Sequence, residues 1–162
     1  VPKNMFGTKK LKDLVKTMLF TMHQVQGVGL AAPQVGVDLA LAVIEFKPNK
    51  IRPHIPVFPK AAIINPKIVQ RSATLVSDWE GCLSLKNVRA KVPRSEHITV
   101  QYFDENGIKH KKTFSGFQAR VFQHEIDHLH GVLYVDRITD TKSYHSLGEF
   151  KKRVLKSGLK SK

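Results

Sequence analysis

The sequence predicts a single α+β domain. Three observations carry this. Apolar residues repeat with helical spacing near the two ends and in one late segment; the middle breaks into short extended runs bounded by turn residues; and no repeat, linker or low-complexity stretch divides the 162 residues. Apolar residues make up 41% and charged residues 25% of the chain, an ordinary globular balance that excludes disordered and fibrous classes.

The first element is a helix from Thr8 to His23, with Leu11, Leu14, Val15, Met18, Leu19 and Met22 on one stripe and Thr8 as its N-cap. Gly27-Val28-Gly29 breaks that pattern. Leu39–Phe46 reads as a buried strand, and Pro48, Pro53, Pro56 and Pro59 mark a long, stiff connection over residues 47–60. Ala61–Ile64 and Lys67–Val76 read as two short strands, and Val88–Val92 and His97–Phe103 as extended. Ile98, Val100 and Tyr102 share one face of the last of these. Asp104-Glu105-Asn106-Gly107 predicts a hairpin turn into Ile108–Phe114. A second helix runs Gly116–His130, with Ser115 as cap and Gly131 as stop. A basic third helix occupies Leu147–Leu159, so residues 147–162 form a basic C-terminal helix or tail on a domain covering 1–162.

Charge and cysteine content narrow the setting. Lys plus Arg is 27 against 13 Asp plus Glu, a net +14, which favours polyanionic partners such as nucleic acid, ribosome or an anionic surface. The longest apolar run, Leu39–Ile44, is far short of the roughly 20 residues of a membrane span. Val1-Pro2-Lys3-Asn4 lacks the apolar core of a secretion signal, and the start on Val1 rather than Met points to an N-terminal piece removed or lying outside this sequence. The single cysteine, Cys82, has no partner for an internal disulfide, so a reducing compartment is expected.

The strongest chemical signal is His124-Glu125-Ile126-Asp127-His128. On a helix, His at i and i+4 stand one turn apart on one face and reach one metal ion, with Glu125 placed to take a proton from a water on that ion. Asp127, or another carboxylate or carbonyl, is the expected partner that orients an imidazole. A third ligand is needed. Downstream, His130, His145 and Glu149 have no recognisable setting; upstream, Glu80-Gly81-Cys82-Leu83-Ser84 supplies the only thiol. A thiolate and two imidazoles leave a fourth position open, as a catalytic site requires. In Gly27-Val28-Gly29-Leu30-Ala31-Ala32-Pro33-Gln34, small residues allow close approach of a ligand and Gln34 supplies an amide donor. Two other readings stay open on these residues: a metallopeptidase using the same helix, and a basic RNA-binding module with a structural metal.

These three segments, in this order, resemble the peptide deformylase family, whose motifs are a GφGφAAxQ loop (φ apolar), EGCLS and QHExDHLxG. Gly27 to Gln34, Glu80 to Ser84 and Gln123 to Gly131 match them without a mismatch, within a resemblance that spans about Leu11 to Asp136. The segment Val1–Gly7 lacks the short strand and DPxL-like segment usual before the family's first helix. The resemblance implies antiparallel sheets around a central helix carrying the HExxH motif. It implies Cys82, His124 and His128 as metal ligands and Glu125 as general acid and base. Gln34 and the Leu83 backbone N–H would face the oxyanion. Val28, Gly29, Glu80 and Gly81 would shape the substrate groove, and Phe117 and Val121 the methionine pocket, with Arg120 on the same helix face. It further implies one divalent ion, Fe²⁺ in the cell, with Zn²⁺, Ni²⁺ or Co²⁺ in purified samples. The substrate would be N-formylmethionyl nascent peptides, in a bacterial cytoplasm or an organellar matrix or stroma. A transient ribosomal RNA contact through the basic C-terminus is expected, and no membrane partner.

Overall fold

The computed structural model describes residues 1–49 and 53–155, the side chains of 154 and 155 excepted. The first helix, α1 (Lys9–Gln24), starts where Thr8 Oγ1 accepts the Leu11 N–H, and buries Leu11, Val15, Met18 and Met22. Strands β1 (Gly29–Ala31), β2 (Leu41–Phe46), β3 (Phe58–Arg71), β6 (His97–Phe103) and β7 (Lys109–Ser115) form an antiparallel sheet in the order β1-β2-β3-β6-β7. A smaller sheet has the order β4-β5-β8, from β4 (Leu75–Glu80), β5 (Val88–Ser95) and β8 (His145–Ser146). The second helix, α2 (Gly116–Leu129), follows β7 directly, and α3 (Leu147–Phe150) runs into a π-helical turn at Lys151–Leu155.

The larger sheet is covered on both faces, which is why β2 is apolar along its length instead of alternating. Val43 meets the α1 residues Leu11, Val15, Met18 and Met22. Its neighbour Ile44 points the other way, into the layer formed by Ile63, Ile98, Val100 and Phe114 with Phe122 and Ile126 of α2. Phe122 is fully buried, its ring stacked on Phe114 with centroids 3.9 Å apart. The helix α2 therefore lies between β1 and β2 of one sheet and β5 of the other.

Four expectations change. The two strands read from Ala61–Ile64 and Lys67–Val76 are one strand, β3, that ends at Arg71, and the residues from Leu75 begin β4. Asn65-Pro66 looks like a break, but Asn65 adopts φ 49° and gives its N–H to the Ala40 carbonyl, so the strand passes the pair through a register shift. Gly29, read with Gly27 and Val28 as a break after α1, begins the edge strand β1. Ser115 stands at the N-cap of α2, yet its side chain makes no capping hydrogen bond. Of the expected helix at Leu147–Leu159, Leu147–Phe150 is α-helical and Lys151–Leu155 π-helical, and the Phe150 ring packs on Trp79 with centroids 4.9 Å apart. Residues 50–52 of the proline-rich connection, and Lys156, Leu159, Lys160 and Lys162 of the basic tail, lie outside the described residues.

Candidate metal centre

Three segments meet beside α2. The helix itself carries His124, Glu125 and His128, one turn bringing the two imidazoles together at 3.2 Å between their Nε2 atoms. The β4–β5 connection starts where Glu80 makes the last β4 pair, opposite Ala90. It delivers Cys82, whose Sγ lies 3.1 Å from His128 Nε2. The ligand atoms of Cys82, His124 and His128 all fall within 4.8 Å of one another, and among the described residues no other His, Cys, Asp or Glu cluster could hold an ion. The third segment is the 3₁₀ turn Ala32–Val35 after β1, which carries Gln34. The Ala31 N–H holds Gln34 Oε1 at 2.9 Å, which aims Nε2 at Ser84 Oγ (3.0 Å) and Cys82 Sγ (3.5 Å).

Glu125 is 4% exposed, and its Oε2 has no hydrogen-bond partner among the described residues. Its neighbour is Gly29: a Cβ there would stand 2.6 Å from the Glu125 carboxyl carbon, so glycine is what lets β1 pass over the carboxylate. Burial pushes the Glu125 pKa up to about 7 against the pull of His124 and His128. Burial also works to raise Cys82, but hydrogen bonding with His124 and His128 overcomes it and brings the thiol down to about 5.

A charged network props His124 from behind. His124 Nδ1 donates to Glu80 Oε2 at 2.9 Å, which turns Nε2 toward Cys82 and His128. Arg94 grips Glu80 with two bonds of 2.9 and 3.0 Å, and Arg120 Nη1 adds a third at 2.7 Å. Although burial opposes it, bonding from His124 and Arg94 lowers the Glu80 pKa to about 2. The orienting partner of His124 is thus Glu80, while Asp127 accepts from Arg94 and Arg137.

The other expected residues fall in two groups. Val28, Phe117 and Val121 join the apolar layer between α2 and the sheet, with Phe117 edge-on to Phe46. Gly81 sits under the Arg89 guanidinium, and Leu83 packs toward the α1 layer. Glu80 has both oxygens engaged beneath His124, so only its backbone remains to line a groove. Arg120, of unassigned role, is tied to Glu80 and to the carbonyls of Val76 and Val92. Arg94 went unpredicted. Its signal was parity: Ala90, Val92 and Arg94 share the buried face of β5, and an inward arginine requires a buried partner.

One thiolate and two imidazoles, with Glu125 unpartnered beside them, fit a divalent transition-metal ion with an open coordination position. The family model for polypeptide deformylase matches residues 2–144. A relative from Nostoc sp. named peptide deformylase 2 is 40% identical over 147 residues, 91% of this chain and 82% of its own. One of the same name from Pseudomonas putida is 44% identical over 140 residues, 86% of this chain and 79% of its own. Among solved structures, the Met-Ala-Ser-bound class I type b peptide deformylase from Acinetobacter baumannii aligns with a TM-score of 0.83 at 37% identity, over 85% of this chain and 87% of that one. An inhibitor complex of the Plasmodium falciparum enzyme aligns with a TM-score of 0.72 at 31% identity, over 95% and 87%.

Proposed function

This chain belongs to the peptide deformylase family, metal-dependent hydrolases that take the formyl group from the N-terminal methionine of new polypeptides, and we propose how its own residues divide that work. Cys82, His124 and His128 hold the ion. Bound there, a divalent ion supplies Lewis acidity, lowering the pKa of water and polarising a carbonyl. Glu125 takes the proton from the attacking water and returns it to the amine as the C–N bond breaks and formate leaves. A carboxyl held near pH 7 by burial is matched to both transfers. Gln34 Nε2, fixed by the Ala31 N–H, and the Leu83 backbone N–H donate to the oxygen on which charge develops. Val28, Gly29 and the backbone of Glu80 and Gly81 line the peptide groove, and Phe117 and Val121 receive the methionine side chain. The peptide in the Acinetobacter baumannii relative begins with methionine, which supports this substrate class.

The single observation that carries the reading is the buried Glu125 carboxylate, its Oε2 without a partner among the described residues, beside the Cys82, His124 and His128 convergence. Two measurements test it together: the ion content of Cys82→Ala, and formate release from formyl-Met-Ala-Ser. Loss of both ion and activity is expected. Full activity without the thiol, or cleavage inside unformylated peptides, overturns the assignment.

The resident ion is assigned as Fe²⁺, the usual working metal of this family; the donor set alone does not choose among Fe²⁺, Zn²⁺, Co²⁺ and Ni²⁺. Protein stripped and refilled without oxygen should release formate faster with iron than with zinc, and the reverse order defeats the iron assignment while leaving the ligands. The exposed Lys151, Lys152 and Arg153 begin a basic tail that we assign to ribosomal RNA, on a catalytic domain spanning 1–162. Removing the tail should weaken ribosome binding in a salt-dependent way and spare short-peptide activity. No described helix is long and apolar enough to cross a membrane. We assign the enzyme to a bacterial cytoplasm or an organellar matrix or stroma, where polypeptides start with N-formylmethionine.

A further inference from the structure

A surface cavity of about 280 Å³ lies at the far end of α2, lined by Lys67 and Arg71 of β3, by Ile126, Asp127 and His130, and by Arg137. None of the residues assigned to the metal centre lines it. Its charge is unbalanced. Lys67, Arg71 and Arg137 are cationic, and the one lining carboxylate, Asp127, is already taken: Oδ2 accepts from Arg94 Nη1 and from Arg137 Nε at 3.2 Å, and Oδ1 from Arg137 Nη2 at 2.9 Å. Among the described residues, the acceptor that Arg71 reaches is the neutral Gln123 Oε1, at 3.1 Å, which the Ser95 N–H shares. Partial burial lowers the Arg71 pKa, and the charges of Arg137 and Arg94 add to this against the pull of Asp127.

The backbone around the cavity is paired on the helix side and open on the strand side. Three of the carbonyls that end α2 are taken: Ile126 O accepts from His130 Nδ1, Asp127 O from the His130 and Val132 N–H groups, and His128 O from the Gly131 N–H. On β3, pairing with β2 stops at Ile64, so among the described residues the strand is paired through Lys67–Arg71 with β6 alone.

We propose that this cavity is a binding site for a phosphate-type oxyanion, gripped by the Arg71 guanidinium, with Lys67 at the rim and the charge of Arg137, whose Nε and Nη2 stay on Asp127, beside it. Planar forks match tetrahedral oxyanions two oxygens at a time, and the volume is near the lower end of small-ligand sites, roughly 300 Å³. The phosphate can come from a small free phosphate or from an RNA backbone, and the probes separate the two. The metal-loaded enzyme is titrated calorimetrically with inorganic phosphate, with pyrophosphate and with a short single-stranded RNA. Saturable binding is expected for at least one, weakened about tenfold or more by Arg71→Gln and less by Arg71→Lys, with formate release from short peptides unchanged. Binding of phosphate or pyrophosphate that Arg71→Gln abolishes identifies a free ligand. Binding of RNA alone, with its salt slope reduced by about one in Arg71→Gln, identifies the backbone source. If no probe saturates the wild type, or if binding survives Arg71→Gln at full strength, the site is refuted. Far-ultraviolet circular dichroism of each variant confirms that it is folded.

Discussion

The two sides of α2 are held by opposite means. Toward the larger sheet, Ala119, Phe122 and Ile126 sit in a dry apolar layer with Ile63, Ile98, Val100 and Phe114. Toward β4 and β5, Arg120, His124 and Asp127 join Glu80 and Arg94 in a buried network of charge. An apolar contact is non-directional and forgiving of shape, and serves to anchor the helix. A buried ionic network fails when one member is lost, because its partners remain desolvated and unpaired, but it fixes directions to within a hydrogen bond. The His124 imidazole, proposed to hold the ion, faces the directional side. The helix is anchored by one surface and aimed by the other.

The comparison breaks most visibly at Arg94. Arg94→Met leaves Glu80 and Asp127 short of a buried counter-charge and should cost about 3–5 kcal/mol in urea unfolding. A loss under about 1 kcal/mol would show that the network adds no more than a surface pair. Glu80→Gln tests the aiming role. With the His124 Nδ1 partner neutral, metal affinity measured by chelator competition should fall about 10–100-fold, more than the fold-change in KM for the formyl peptide.

Acid separates the two sides by sign. The folded Glu80 pKa, about 2, lies below its ordinary value of 4.5, so its contribution is complete above 4.5 and lost as pH falls toward 2. Asp127 is lowered in the same direction: burial opposes, and bonds from Arg137 and Arg94 prevail. Metal-free wild type should lose stability across that window, and Arg94→Met should lose less of what it has left. On the apolar side, Phe122→Leu keeps most of the volume and should cost about 1 kcal/mol, with kcat unchanged. A kcat loss there would mean that the anchoring surface also aims.

The sequence made the anchoring side legible and the aiming side only in part. Periodicity alone finds α1 to within a residue at each end, because Leu11, Val15, Met18 and Met22 answer to one neighbouring surface. His124, Glu125 and His128 are legible because a helix turn converts their spacing into proximity. The network behind them joins β4, β5 and α2 across separations of 14 to 44 residues, and no local pattern encodes those pairings. The same limit explains β3: Asn65-Pro66 reads locally as a break, and only the Ala40 carbonyl across the sheet makes it a bulge.

The proposed chemistry requires Glu125 to move a proton without holding the ion. Glu125→Gln keeps the shape of the side chain and removes its basicity. Metal content and formate release should therefore be measured on the same preparation. The prediction is one ion per chain, as in wild type, with kcat reduced about 10²–10⁴-fold. An ion lost together with activity would make Glu125 a ligand, and undiminished turnover with the ion retained would remove it from the chemistry.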